Sequence, residues 1–320
     1  MRKILITGAL GQIGSELAVR MRDVYGNANV IISDLKAKET HKELIENGPF
    51  EVIDVMDKDR MAKVVDKYGI NTIVNLAAIL SATGEARPDL CWSINMNGLY
   101  NVLELAREKK LSVFTPSSIA VFGDLTPKDS TPQDTVMRPG TMYGVTKVAG
   151  ELLCDYYFHK FGVDTRGVRF PGLISYDTLP GGGTTDYAVH IYYEALKNRK
   201  YSSFIDKGTK MDMMYMPDAL DAILNLMEAD SSRLIHRNAF NIAAMSFDPE
   251  EIAASIRKHI PGFVLEYDVD PIRQAIADSW PNSLDDSAAR AEWGWAPKYL
   301  LDGMTKDMLE KLSKKLNIKI

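Results

Sequence analysis

Tyr143-Gly144-Val145-Thr146-Lys147 sets a phenol and an ammonium four residues apart at the opening of a helical stretch, so both fall on one face. A nearby ammonium favours phenolate, which predicts a tyrosine lowered from about 10 toward the range of a general base. The bland alternative is an ordinary surface pair, because Tyr and Lys meet at this spacing by chance in many helices. Position argues for chemistry: the pair follows a fifth apolar segment that carries Ser117-Ser118.

A second constellation lies at the other end of the same half. Gly8-Ala9-Leu10-Gly11-Gln12-Ile13-Gly14 follows an apolar segment and runs directly into a helical one, with glycines spaced G-x-x-G-x-x-G. Such a turn lets backbone N–H groups approach a pyrophosphate and places it at the positive end of a helix dipole. Asp34 comes twenty residues after Gly14, at the end of the second apolar segment. A carboxylate there accepts hydrogen bonds from both ribose hydroxyls and repels a 2′-phosphate, which favours NAD over NADP. A helix cap or turn residue is the alternative for Asp34, and Lys36 leaves room for NADP. Asp54-Val55 closes the third segment, where a carboxylate could meet an adenine amino group. Leu76-Ala77-Ala78 follows the fourth, small enough for the chain to pass close to a flat ligand.

The elements that must hold these groups are short buried strands joined by crossover helices. Strands are expected at 3–7, 29–33, 51–53, 72–75, 111–115 and 164–168, and helices at 12–25, 57–68, 88–109 and 142–161. Six strands in that order predict an α/β fold, a Rossmann-type doubly wound parallel sheet. After Arg169 the pattern loosens around Gly181-Gly182-Gly183, with amphipathic stretches at 187–197, 217–227, 249–259 and 301–316. Residues 1–170 are therefore expected to form an NAD-binding domain, and 171–320 mainly a smaller mixed α/β substrate domain. The chain has room to cross back to the first domain, and the cleft between the two is the expected site.

Composition narrows the partners. A hydrophobic content of 46% suffices for a large core, and a net charge of −5 with dispersed Lys and Arg gives no footprint for nucleic acid or an anionic membrane. A small-molecule substrate is expected. Cys91 and Cys154 show no CxxC or Cys/His spacing, so neither a disulfide framework nor a metal site is predicted. The N-terminus lacks the apolar run of a targeting segment, and a soluble, cytoplasmic protein is the expectation.

Together with Asn97-Gly98-Leu99-Tyr100-Asn101-Val102-Leu103, Ser117-Ser118-Ile119-Ala120-Val121-Phe122-Gly123 and Gly294-Trp295-Ala296-Pro297, these motifs resemble the extended short-chain dehydrogenase/reductases nearly end to end. These are related in pattern to nucleotide-sugar epimerases and dehydratases. The resemblance implies that Ser118 hydrogen-bonds the reacting oxygen, with Ser117 shaping the turn, and that Lys147 holds the nicotinamide ribose. It also implies that Pro171 and Leu173 pass beside the nicotinamide, and that one of Asn95, Asn97 and Asn101, with Asn95 favoured, supports the proton relay. A homodimer through the helices of 88–109 and 142–161 is implied as well.

Nucleotide-sugar relatives place an arginine shortly before an aspartate in the second domain to grip a diphosphate. Here Met211 stands in that place, in Lys210-Met211-Asp212-Met213-Met214-Tyr215-Met216-Pro217-Asp218, although Lys207 or Lys210 could compensate. Gly181 to Ala188 and Ala277 to Ser287 instead resemble the short-chain type of L-threonine 3-dehydrogenase. Thr184, Thr185 and Asp186 then become candidates to clamp a zwitterion, Trp280 to cover it, and Ser81 to take its carboxylate. The alternatives are a glycine turn with a Thr-Thr-Asp helix cap, a core aromatic and an ordinary loop serine. The implied reaction is metal-free oxidation of L-threonine at its β-hydroxyl to 2-amino-3-oxobutyrate, which decarboxylates to aminoacetone or is cleaved by a ligase to glycine and acetyl-CoA. The rivals are an epimerase or dehydratase with tightly held NAD, and a non-enzymatic NAD-binding sensor.

Overall fold

Continuous apolar runs, with no polar alternation, mark strands buried on both faces. The computed structural model, which describes residues 2–177 and 183–319, shows this for β1 (Ile4–Thr7), β2 (Val30–Asp34) and β4 (Thr72–Asn75), buried along essentially their whole length. With β3 (Phe50–Val52), β5 (Ser112–Phe114) and β7 (Thr165–Arg166) they form one parallel sheet ordered β3-β2-β1-β4-β5-β7, in register Ile4 to Val30 and Ile4 to Thr72. The two-residue strand β6 is Ser117–Ser118. The doubly wound expectation is met, with the order reversing between β1 and β4, where ligands of such sheets bind.

The crossovers are α1 (Gln12–Tyr25), the short α2 (Lys42–Glu46) and α3 (Lys58–Tyr68), then α4 (Ser81–Ala86), α5 (Pro88–Trp92), α6 (Leu99–Lys109) and α7 (Met142–Phe161). The expected single helix over 88–109 is interrupted: residues Ser93–Gly98 form a π-helical segment between α5 and α6. Apolar periodicity does not reveal a π turn, because the faces on either side still point to the core. That core packs Leu5, Ile31 and Ile73 of the sheet against Met61, Val64, Val102 and Leu103 of α3 and α6. Both cysteines are buried and free.

The chain makes two compact units and passes through both in alternation. The first comprises residues 1–121, 139–169 and 220–240, the second residues 122–138, 170–219 and 241–320. The return crossing runs along α9 (Met216–Glu228), which follows β8 (Val168–Phe170), β9 (Gly172–Ile174), α8 (Tyr187–Asn198), β10 (Lys200–Ser203) and β11 (Met211–Tyr215) in sequence. After β12 (Phe240–Asn241) come β13 (Met245–Phe247), α10 (Pro249–Arg257), β14 (Val264–Tyr267), α11 (Pro271–Ser279), α12 (Ser287–Trp293) and α13 (Leu301–Leu316). In the second unit β11 lies between β9, parallel, and β13, antiparallel. Among the described residues no helix is long and apolar enough to cross a membrane.

Candidate active site

The first unit gathers the glycine turn, Asp34 and the Tyr143–Lys147 pair. Gly8 sits at φ +65°, and a Cβ there would lie 2.8 Å from Ala77 N and 2.9 Å from the Leu76 carbonyl carbon. The small-residue strand end after β4 and the glycine turn thus touch backbone to backbone. A Cβ on Gly14 would lie 2.6 Å from Gly8 O and 2.7 Å from Ala9 Cα, so only glycine lets α1 start this close to β1. Gly11 stands at the N-cap with no side-chain hydrogen bond, and the first turn carries no acidic residue. Gln12 and Ile13 open that turn, both half-buried.

Asp34 is held at the end of β2. Its Oδ2 accepts from Leu10 N at 3.0 Å and its Oδ1 from Leu35 N at 2.9 Å, which ties the carboxylate to the glycine turn. Lys38 Nζ donates to Leu10 O at 2.9 Å, on the same residue whose N–H Asp34 accepts, while Lys36 is exposed. Asp54 is exposed and accepts from Met56 N at 2.9 Å, with Val55 buried beside it. The cradle of glycines, the uncapped helix start and the fixed carboxylate fit a dinucleotide.

Tyr143 and Lys147 lie on the first turns of α7, whose start is fixed twice: Thr141 Oγ1 accepts from Gly144 N at 3.1 Å, and Glu85 of α4 accepts from Met142 N at 2.7 Å. Ser81 opens α4, half-buried, and Gly84 on that helix packs beside the Cβ of Tyr143. The Lys147 ammonium lies 5.4 Å from the centre of the Tyr143 ring and donates to Pro116 O at 2.7 Å. Ser118 accepts from Ala120 N at 3.2 Å, and its hydroxyl stands near enough to the Tyr143 phenol to favour the phenolate.

The electrostatics differ from the sequence expectation. Burial pushes Tyr143 up to about 12, offset in part by the Ser118 hydrogen bond, and pushes Lys147 down to about 8, offset by the Glu151 charge. Both shifts favour the neutral forms. The ammonium does not lower the phenol here: burial is the largest effect on each group and favours the neutral form of both.

The three asparagines separate clearly. Asn97 is exposed. Asn101 donates to Val55 O at 3.1 Å and Met56 O at 3.3 Å, holding the stretch that follows β3. Asn95 is buried on the π segment: Oδ1 accepts from Ile79 N at 2.8 Å, and Nδ2 donates to Ile79 O at 3.0 Å and to Thr146 Oγ1 at 3.1 Å. It therefore fastens the loop before Ser81 to the Tyr143 helix. Sequence reading gives neither Glu151 nor Arg169 a role. Both are buried and joined to each other, with Glu151 four residues past Lys147 as the one available signal.

The second unit holds the remaining candidates. A Cβ on Gly172, between Pro171 and Leu173, would lie 2.7 Å from Thr185 Cγ2, so this strand and the 184–186 turn meet closely. Thr184 is buried, and Asp186 Oδ2 accepts from Gly183 N at 2.5 Å, the capping role weighed as the alternative. Trp280 is buried directly after α11, which packs against the same turn. Gly181 and Gly182 lie outside the described residues. Met211 is fully buried in β11, and Lys210 pairs with Glu251 at 3.0 Å, so neither offers a cation for a diphosphate. Among the described residues no cluster of three or more His, Cys, Asp or Glu side chains is placed to hold a metal.

Comparison with known proteins identifies the family. The chain is 58% identical over 315 residues to an uncharacterized epimerase/dehydratase of Staphylococcus haemolyticus, covering 98% of this chain and 99% of the relative. It is similar to the crystal structure of an L-threonine dehydrogenase from Clostridium difficile, with 66% identity, a TM-score of 0.97 and 98% of both chains covered. A metagenome-derived L-threonine 3-dehydrogenase described as monomeric matches with 46% identity and a TM-score of 0.92, over 98% of this chain and 99% of that one. The pattern of the NAD dependent epimerase/dehydratase family matches residues 4–243, and with the glycine cradle, Asp34 and the Ser118–Tyr143–Lys147 group in place the chain belongs to that family, whose cofactor is NAD.

Proposed function

We propose that this protein is a metal-independent L-threonine 3-dehydrogenase that oxidises the β-hydroxyl to give 2-amino-3-oxobutyrate. The reaction class rests on one observation, the Lys147 ammonium 5.4 Å from the Tyr143 ring centre, with Ser118 acting on the same phenol. Likeness to the threonine dehydrogenases supports the substrate, and the buried Met211 weighs against a nucleotide sugar.

NAD, when bound, supplies the hydride acceptor. Gly8, Gly11, Gln12, Ile13 and Gly14 are proposed to hold its pyrophosphate, Asp34 its ribose and Asp54-Val55 its adenine. Leu76, Ala77, Ala78, Pro171 and Leu173 would flank its rings. Tyr143 takes the proton of the β-hydroxyl, Ser118 holds that oxygen and favours the phenolate, and Lys147, beside the ring, holds the adjoining ribose. Asn95 acts by keeping the 79–81 loop against α7. Ser81 in the first unit, and Thr184, Thr185, Asp186 and Trp280 in the second, are the residues proposed to bind the amino acid.

A dimer is part of the same proposal, supported by Val145, Leu152 and Tyr156 on one stripe of α7 with Trp92 and Tyr100 near it, all 41–60% exposed. The test of the reaction is reduction of NAD by purified protein with L-threonine, D-threonine, L-allo-threonine, L-serine or UDP-sugars, each with and without a chelator. Reduction with L-threonine, unaffected by the chelator, is expected. Conversion of a UDP-sugar without net reduction would replace this assignment with the epimerase reading.

A further inference from the structure

Of three consecutive residues, Pro116, Ser117 and Ser118, two are hydrogen-bonded to α7, Pro116 O to Lys147 and Ser117 Oγ to Glu151 Oε1 at 2.5 Å, and the third, Ser118, acts on the Tyr143 phenol. On the helix the partners are Tyr143, Lys147 and Glu151, spaced four and four, which is one stripe. Glu151 is only 5% exposed, and Arg169 from β8, only 4% exposed, grips both its oxygens, Nε to Oε1 at 3.0 Å and Nη2 to Oε2 at 2.9 Å. A buried ion pair stabilises a fold little more than a well-packed apolar pair would. This one sits one helical turn from Lys147 and two from Tyr143, the proposed proton-transfer group, where its charge is felt with little screening.

We propose that Glu151, clamped by Arg169, is a positioning residue: its carboxylate keeps the Lys147 ammonium charged and, through Ser117, holds Ser118 against Tyr143. Lys147, Glu151 and Arg169 together carry one net positive charge, and ionisation of Tyr143 brings the four groups to neutrality. Removal of Glu151 would leave two positive charges, which Lys147 relieves by giving up its proton. The other titratable groups acting on Lys147 are the buried thiols of Cys91 and Cys154, both pushed up by burial and so uncharged at neutral pH. Glu151 is therefore the carboxylate that offsets the desolvation of Lys147.

The proposal rests on the dehydrogenase reading only in giving Tyr143 the proton-accepting role. Its test is the titration of Lys147 in the full chain, by NMR of lysines labelled with ¹³C at Cε and assigned with Lys147→Met. Glu151→Gln is expected to lower the Lys147 midpoint by about one unit or more, and Arg169→Met, which frees the carboxylate, to raise it. Glu151→Asp is expected to stay nearer the wild type than Glu151→Gln. The alkaline limb of kcat/KM for L-threonine should shift with the Lys147 midpoint. A midpoint unchanged in Glu151→Gln, variants that shift in the same direction, or a limb that ignores the midpoint overturns the proposal. Should Glu151→Gln not fold, Arg169→Met and Glu151→Asp carry the comparison, and an unmoved midpoint in Arg169→Met overturns it. Should L-threonine not react at all, the NMR titration still decides the role of Glu151 while the substrate reading fails alone.

Discussion

Lys147 is the clearest case of a side chain kept where its charge is costly. Burial lowers it from 10.5 to about 8, so between those values the unfolded chain binds more protons than the folded one, and wild-type stability rises with pH across that window. Lys147→Met is therefore expected to be more stable than wild type at pH 7 by about 1–2 kcal/mol, after allowing for the lost bond to Pro116. The gap should shrink as pH passes from 8 toward 10.5. Urea unfolding at pH 7, 9 and 10 checks this, and a gap that does not change with pH contradicts it. Tyr143 acts at higher pH: raised from 10 to about 12, it makes the folded state hold its proton longer, and stability falls over that range. Residue types and spacing singled out the Tyr143–Lys147 pair as a candidate, because a phenol and lysine four apart after a serine-bearing strand is a local pattern, whereas the choice of Ser118 over Ser117 came from the family resemblance. The Glu151–Arg169 pair was not legible, since its meaning comes from burial and from a partner 18 residues away.

The glycine turn shows what an element demands of its sequence. Gly14→Ala would force a Cβ to 2.6 Å from Gly8 O, a backbone atom that cannot swing aside. It is expected to cost about 2–4 kcal/mol and to weaken NAD binding at least tenfold. Gly303→Ala is the control: in α13 a Cβ there meets nothing within 4 Å, and the change should be neutral or stabilising by up to about 1 kcal/mol. Calorimetry and NAD titration on both variants check the contrast, which fails if the two behave alike. Strands β1, β2 and β4 and helices α1 and α7 could be placed from sequence because apolar runs and periodicity report burial directly. The π segment at 93–98 could not, although it carries Asn95, because a wider turn leaves the apolar pattern unchanged.

The alternation of the chain between its units was only partly legible. Residues 122–138 leave the first unit after β6 and the 139–169 stretch returns to it, a path fixed by long-range pairing such as the bridge between Thr131 and Leu284. No local motif encodes such a contact. The exposed apolar stripe of α7 bears on assembly: a dimer is expected, sedimenting at twice the 35.7 kDa of the chain and split by Tyr156→Glu. A monomer at micromolar concentration would contradict the dimer and leave the reaction untouched.

The central claim is that hydrogen leaves the β-carbon of L-threonine while Tyr143 takes the hydroxyl proton. L-threonine carrying deuterium at the β-carbon, incubated with the protein and NAD, tests it directly by mass spectrometry of the reduced cofactor. The account predicts one deuterium in each reduced cofactor formed, and loss of the signal in Tyr143→Phe by about 100-fold or more. Unlabelled reduced cofactor, or no reduction at all, would contradict it.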